Sequence, residues 1–168
     1  AWIKQFIEVE WGHSTAGKAV VQSFSTRVHL SKRRLRFDPS LDLIAGFDPG
    51  IGGAAMILGQ EDLEGRLHVL GEIITSGVGA ARFISERLRP WLNRNAPDLQ
   101  PGRLIIAPDP AANSRSPNDE STIVNTIKRY YPVSIETNNR LPLRLDAIDY
   151  FCTGLVFGLP RLIIDEQA

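Results

Sequence analysis

The chain has 168 residues with 43% apolar and 23% charged side chains, a composition that predicts one compact domain with a substantial core. Its 19 basic and 19 acidic residues balance, so the net charge gives no argument for a nucleic-acid partner. The single cysteine excludes an internal disulfide and a cysteine-based zinc site. No apolar run is long enough to cross a bilayer and no signal-peptide pattern opens the chain, so we expect a soluble intracellular protein with no membrane contact.

Residues 1–42 predict an entry segment that precedes the main domain. GHSTAGKA (12–19) comes close to a phosphate-binding loop, but Ala19 replaces the hydroxyl residue that would hold magnesium, and a β-branched stretch follows where the motif requires a helix. We therefore interpret it as a loop. RVHLSKRRLR (27–36) carries five Lys or Arg and no acid, which makes Lys32, Arg33 and Arg34 candidate contacts to DNA phosphates, with a solvated linker as the alternative.

The elements after residue 42 alternate in a way that defines a fold class. Strands are predicted at 43–48, 53–59 and 66–74, followed by a helix at about 78–95 that we expect to be interrupted near Pro90. A strand at 103–109, a helix from about 117, a short strand at 133–137, a helix over 142–157 and a strand at 161–165 follow. Three antiparallel strands followed by α/β crossovers predict a mixed central sheet flanked by helices.

Two aspartates occupy matching positions at predicted strand ends. Asp48 follows LIAGF and precedes a proline and a run of glycines, and Asp109 follows RLIIAP and precedes a proline and small residues. Carboxylates at the ends of neighbouring strands repel each other, and a bound divalent cation relieves that repulsion. Paired aspartates of this kind hold magnesium or manganese for phosphodiester chemistry, whereas a turn aspartate is the alternative for Asp48.

The last predicted helix offers a third acid. Its apolar stripe at helical spacing comprises Leu145, Ile148, Cys152, Leu155 and Val156. With 3.6 residues per turn, Asp149 projects about 40° from Leu145 and Asp146 about 100°, so periodicity alone favours Asp149 as the acid that leans toward the sheet. The position of Cys152 on the stripe predicts a buried, inert thiol.

Together these motifs resemble the C-terminal nuclease domain of the large terminase subunit of tailed bacteriophages, which has an RNase H-like fold. KAVVQSFSTRVHL (18–30) is similar to the stretch that leads from the packaging ATPase into the nuclease, and LIAGFDPGIGGAAMILGQ (43–60) with GRLHVLGEI (65–73) is similar to the first three strands. APDPAANSRSPNDEST (107–122) resembles the second acidic motif, and RLDAIDYFCTGLVFGLPRLIID (144–165) resembles the closing helix and strand.

The resemblance implies a metal-dependent endonuclease that cuts concatemeric viral DNA during packaging. It places an entry segment from a preceding ATPase domain at 1–42 and the RNase H-like nuclease domain at 43–168. Two Mg²⁺ or Mn²⁺ ions would be held by Asp48, Asp109 and Asp146, because the family's acid followed by alanine falls on Asp146; Asp149 stays the alternative third ligand. The implied partners are double-stranded DNA, the packaging ATPase domain of the same polypeptide, the small terminase subunit and the portal, in the host cell cytoplasm rather than in the mature virion.

Further residues near these motifs have two interpretations each. Gly50, Gly52 and Gly53 are turn residues that would also let a DNA backbone approach the site. Arg115 either contacts a phosphate or lies in a solvated loop.

Other acids, and other functions, remain open at this point. Asp119 and Glu120 fall in a first helical turn, where acids favour the helix dipole, and Glu72 is either an extra acid near the metals or an exposed strand residue. The histidines have no ligand spacing. The competing functions are a Holliday-junction resolvase or another RNase H-like nuclease, the lobe of an actin-like ATPase, and a non-catalytic module that binds DNA or the portal.

Overall fold

A computed structural model describes residues 19–49, 53–100, 102–110, 123–134 and 140–168. Its strands are β1 (Leu30–Ser31), β2 (Leu43–Pro49), β3 (Gly53–Glu61), β4 (Leu67–Ser76), β5 (Leu104–Pro108), β6 (Leu155–Val156), β7 (Leu159–Pro160) and β8 (Leu162–Asp165). Its helices are α1 (Thr26–His29), α2 (Ala80–Phe83), a π-helical turn (Ile84–Leu88), α3 (Arg89–Asn95), α4 (Ile123–Lys128) and α5 (Leu141–Thr153). No helix in these ranges is long and apolar enough to cross a membrane.

Six strands form one mixed sheet in the order β1-β8-β4-β3-β2-β5. β2, β3 and β4 are antiparallel neighbours, whereas β5 joins β2, β8 joins β4 and β1 joins β8 in parallel. The predicted mixed sheet is confirmed. A strand was expected at 133–137. The described part of it forms a single parallel bridge, between Val133 and Ile106 of β5, and residues 135–139 lie outside the described residues.

Alternation along the strands gives the sheet one buried and one open face. In β2, Leu43, Ala45 and Phe47 are buried, while the residues between them are exposed, as expected for a period of two. Phe47 packs on Phe83 of α2 with ring centroids 5.0 Å apart, so the helices from α2 to α3 cover the buried face. On the other face, Ile57 is 54% exposed. We call these the helix-covered face and the open face.

The helix at 80–95 accommodates Pro90 without breaking. Proline has no N–H to donate, and an ordinary α-helix would lose a hydrogen bond at that point. Here a π-helical turn precedes it, in which the N–H of Arg89 donates to the carbonyl of Ile84, five residues back. The α-helical hydrogen-bonding pattern is therefore interrupted just before Pro90, as predicted, and the interruption is a π-helical turn. The α-helix then continues to Asn95 as α3.

The last helix is shorter than predicted. It ends at Thr153, because Gly154 adopts an extended conformation, and a small hairpin of β6 and β7 follows. The apolar stripe expected along this helix was therefore wrong except at Cys152: Leu155 and Val156 lie in β6, and Ile148 and Leu155 are exposed. Within α5 only Cys152 is buried, as predicted for this thiol, and burial raises its pKa.

The entry segment contributes to the sheet. β1 pairs with β8, and buried His29 connects the segment to the end of α5: its Nδ1 accepts the N–H of Ser25 at 2.9 Å, which leaves Nε2 to donate to the carbonyl of Cys152 at 3.0 Å. The boundary at residue 42 between an entry segment and a nuclease domain stays a prediction.

The turn between β6 and β7 holds a large aromatic residue in a strained conformation. Phe157 has φ 51° and Gly158 φ 80°, and the Phe157 side chain is 91% exposed. Two positive φ values define the hairpin turn that favours Asn-Gly, whereas a bulky residue at positive φ is unfavourable.

We expect Phe157→Asn to stabilise the fold by about 1 kcal/mol, which corresponds to a rise in Tm of roughly 2–4 °C for a chain of this size. Thermal unfolding measures this, with Leu155→Asn on the same hairpin as the control, since that residue is not at positive φ. An equal or lower Tm for Phe157→Asn would contradict the inferred strain.

The turn between β3 and β4 is organised by Asp62. Its carboxylate accepts the N–H groups of Glu64 at 3.1 Å and Arg66 at 2.9 Å, pairs with Arg66 Nε at 2.9 Å, and lies 3.1 Å from His68 Nε2. Burial alone raises the pKa of Asp62, but the hydrogen bond from Arg66 and the charges of Arg66 and His68 outweigh burial and hold that pKa below its ordinary value.

Because the folded-state pKa of Asp62 lies below its unfolded-state value, these interactions stabilise the fold above about pH 4 and are lost as the pH falls further. We expect Asp62→Asn to lower Tm at neutral pH. The difference in Tm between variant and parent should become smaller below about pH 4, because the parent's carboxylate is then protonated and loses the same interactions. Thermal unfolding across pH in metal-free buffer tests this, with exposed Glu72→Gln as the control. A constant difference at every pH would contradict the assignment.

Candidate active site

Asp48 and Asp109 meet at one end of the sheet. β2 and β5 run parallel with Phe47 opposite Pro108, so the next residues along both strands are Asp48 and Asp109, one strand spacing of about 4.8 Å apart. The N–H of Asp109 donates to the carbonyl of Phe47 at 2.8 Å and fixes this register. Asp48 is exposed and Asp109 half-buried.

Both acids line a single cleft of about 520 Å³, which we call the acidic cleft. Its walls include the small residues Gly46, Ala55 and Ala107 on the open face of the sheet, so there is room between the strands' side chains for a ligand. Ile57 adds an apolar wall. The sequence prediction that these two carboxylates come together therefore agrees with their positions in the sheet.

Arg144 of α5 lines the same cleft, and sequence analysis missed it. A guanidinium beside two carboxylates balances part of their charge, and it also recognises phosphate oxygens through paired hydrogen bonds. The only signal in the sequence was its position two residues before Asp146, which does not distinguish it from any other helix-surface arginine.

The proposed third acids face elsewhere. Asp146 and Asp149 line a separate cavity of about 320 Å³, together with Leu145 and the stretch 20–23 of the entry segment. Helix geometry explains the separation, because Arg144 and Asp146 project about 160° apart and cannot face one cleft. The structure thus brings Asp48 and Asp109 together and does not bring Asp146 or Asp149 to them.

The donor atoms of the acidic cleft suit a hard divalent cation. Two carboxylates offer the oxygen ligands that Mg²⁺ and Mn²⁺ prefer, in a cleft with space for them and with water access. Within the described ranges, no three His, Cys, Asp or Glu side chains are close enough to hold a metal ion together. The cleft therefore supplies two protein ligands of the kind a metal needs.

The remaining acids and glycines of the motifs are placed as follows. Glu72 is exposed on the open face, paired with Ile57, and does not line the acidic cleft. A Cβ on Gly53 would overlap the carbonyl oxygen of Thr75, so this glycine is needed for the close approach of β4 rather than of a ligand. Gly50, Gly52, Arg115, Asp119 and Glu120 lie outside the described residues.

The basic stretch lies at the opposite edge of the sheet. Lys32, Arg33 and Arg34 follow β1 and are exposed, and β1 is four strand positions from β2, roughly 19 Å away. These side chains are available to a charged partner, but they are not part of the acidic cleft.

Comparison with solved structures identifies the architecture. The chain is similar to the nuclease domain of the P22 large terminase, with a TM-score of 0.56 and 10% identity over 85% of this chain and 70% of that one. The fowlpox virus Holliday junction resolvase also matches, with a TM-score of 0.39 and 15% identity over 65% of this chain and 73% of that one. No family model and no curated protein matches the sequence. The chain has the RNase H-like fold that the resemblance implied.

We expect Mn²⁺ to raise Tm, because a ligand that binds only the folded state adds about 2.7 kcal/mol of stability at 100 times its Kd, equivalent to several degrees. Asp48→Asn and Asp109→Asn should each reduce this rise, since each removes a carboxylate ligand. Thermal unfolding with and without Mn²⁺ makes the measurement.

Glu72→Gln serves as the matched control, because Glu72 lies on the same face outside the cleft and should leave the rise unchanged. Comparing Asp146→Asn with Asp149→Asn in the same assay tests whether either of them contributes to metal binding. A rise in Asp48→Asn as large as in the parent would contradict the cleft as the metal site.

Proposed function

We propose that the chain is the nuclease domain of a viral DNA-packaging terminase, a Mg²⁺- or Mn²⁺-dependent endonuclease that cuts concatemeric genomic DNA. The observation that carries the proposal is the pairing of Asp48 with Asp109 in one cleft, on a fold shared with a terminase nuclease domain. Phosphodiester hydrolysis by bound metal ions needs carboxylate ligands, and this pair supplies two of them.

In this proposal Asp48 and Asp109 hold the metal, and Asp146 is the third ligand, with Asp149 as the alternative. When two ions are bound, they would supply Lewis-acid stabilisation of the charge that develops on the phosphodiester and lower the pKa of the attacking water. Only the family resemblance supports Asp146 as a ligand, because its side chain lines the neighbouring cavity and not the acidic cleft. Its participation requires α5 to turn about its axis, which would take Arg144 out of the cleft, so Asp146 as a metal ligand and Arg144 as a phosphate contact are alternatives.

The other residues of the cleft position the substrate. Arg144 would contact an oxygen of the scissile phosphate and hold it against the two carboxylates, which by themselves repel a phosphate. The small side chains of Gly46, Ala55 and Ala107 leave the backbone of β2, β3 and β5 accessible to a DNA strand. An open cleft at the end of a sheet accepts the backbone without reading base edges, so we propose cleavage with little sequence specificity.

The proposal extends to partners and location through the same resemblance. Double-stranded DNA would be the substrate, and Lys32, Arg33, Arg34 and Arg115 would contact its phosphates. The packaging ATPase domain of the same polypeptide, the small terminase subunit and the portal would be the protein partners. The site of action would be the host cell cytoplasm.

We expect the purified protein to cut plasmid and linear duplex DNA with Mn²⁺ or Mg²⁺. Removing an outer hydrogen-bond partner of a metal ligand typically lowers activity by up to roughly 100-fold, and Asp48→Asn removes a ligand itself, so its cleavage rate should fall by more than that. Gel-based cleavage assays measure both. Intact plasmid with either metal, or an Asp48→Asn variant as active as the parent, would contradict the mechanism. A strong preference for four-way junctions would assign the chain to the resolvases instead.

The same assay tests Arg144. Arg144→Ala should raise KM for a short duplex, since it removes a phosphate contact, and Arg144→Lys should recover part of the loss because it restores the charge but not the planar fork. Arg87→Ala, an exposed arginine on the π-helical turn, is the control. Equal KM values for Arg144→Ala and the parent would remove Arg144 from the site.

A further inference from the structure

A second groove lies on the other side of the molecule. It has a volume of about 570 Å³ and runs between the segment that follows β1 and the C-terminal end of α3. Three arginines line it, Arg34, Arg36 and Arg94, against a single acid, Asp98. All three arginines are exposed. We call this the arginine groove.

The arginine groove belongs to the helix-covered face. Trp91 lines the groove and lies against Gly71 of β4, where an added Cβ would be 2.8 Å from the indole ring. Gly71 pairs with Leu58, and both are buried under the helices. Asp48 and Asp109 line a cleft on the open face, so the sheet itself separates the two sites.

The charges of the groove are held in place but not neutralised. Arg34 Nη2 donates to the side-chain carbonyl of Asn95 at 3.1 Å, and Asn95 Nδ2 donates to the carbonyl of Trp91 at 3.0 Å. Asn95 is uncharged, so it orients the guanidinium without balancing its charge. Among the described residues, no carboxylate forms an ion pair with Arg34, Arg36 or Arg94.

We propose that the arginine groove binds the phosphodiester backbone of DNA at a site separate from the acidic cleft. Guanidinium groups bind phosphate through two parallel hydrogen bonds, and a cationic groove with an aromatic side chain is typical of nucleic-acid backbone sites. The inference rests on the proposed function, which makes DNA the substrate. It assigns Arg36 and Arg94, which are not among the proposed phosphate contacts Lys32, Arg33, Arg34 and Arg115.

The geometry also determines which part of the DNA the groove holds. One phosphate cannot contact both sites, because they lie on opposite faces of the sheet. The groove therefore holds a second segment, either of the same long DNA or of another duplex. Binding there requires no metal ion.

The experiment measures binding of a fluorescent duplex in EDTA by anisotropy between about 50 and 200 mM salt. The test variant is Arg36→Ala/Arg94→Ala, and the control is Arg87→Ala/Arg129→Ala, which removes the same charge from exposed positions outside the groove. We expect the test variant to bind roughly tenfold more weakly than the control, and its salt slope to fall by about 2, one for each lost phosphate contact. It should still cut a short duplex of about 12 base pairs, roughly one helical turn, at the parental rate with Mn²⁺.

The outcomes separate this inference from the proposed function. If the parent cuts DNA but the test and control variants bind it equally, the groove is not a DNA site, whereas the nuclease stands. If the test variant alone loses binding but no protein cuts with either metal, the groove stands and the nuclease fails. If polyglutamate, and not duplex, binds in a manner that depends on Arg36 and Arg94, the groove is a site for an acidic protein segment, and the DNA inference is overturned.

Discussion

The parallel pairing of β2 with β5 is the constraint on which the acidic cleft depends. Because Phe47 stands opposite Pro108, the two strands deliver Asp48 and Asp109 to adjacent positions, and the hydrogen bond from the Asp109 N–H to Phe47 prevents a slip. A shift of one residue would turn one carboxylate into the helix-covered face, where it would meet Phe83 instead of solvent. The register that builds the core therefore also builds the site, and a change of register would disrupt both.

Local patterns in the sequence predicted the sheet well. Alternation and strand-end aspartates indicated β2 to β5 within a few residues, because those strands bury one face and end at turn-forming residues. Three features were beyond such patterns. β1 is two residues long and forms through pairing with a distant strand; the interruption near Pro90 takes the form of a π-helical turn; and α5 stops at Thr153 because Gly154 leaves the helix. The orientation of α5 could not be predicted from the sequence either. The helix is only weakly amphipathic, so its pattern does not specify which of Arg144, Asp146 or Asp149 faces the cleft.

A net charge of zero conceals opposite local charges in the acidic cleft and the arginine groove. The open face presents two neighbouring carboxylates with Arg144 beside them, and the helix-covered face presents three arginines with Asp98. Such a distribution attracts a polyanion to the arginine groove and a cation to the acidic cleft. The overall balance therefore includes two local imbalances of opposite sign, each suited to a different ligand.

The pairing of β1 with β8 has a consequence for the order in which the chain folds. Leu30 pairs with Ile164, near the far end of the described chain, whereas β2, β3 and β4 pair through short local connections. Non-local pairs form slowly, so we expect the β2–β4 meander to assemble first and the β1–β8 edge last. The hydrogen bond from His29 to Cys152 fixes the end of α5 only once that edge has closed, so the helix that carries Arg144, Asp146 and Asp149 takes its place late.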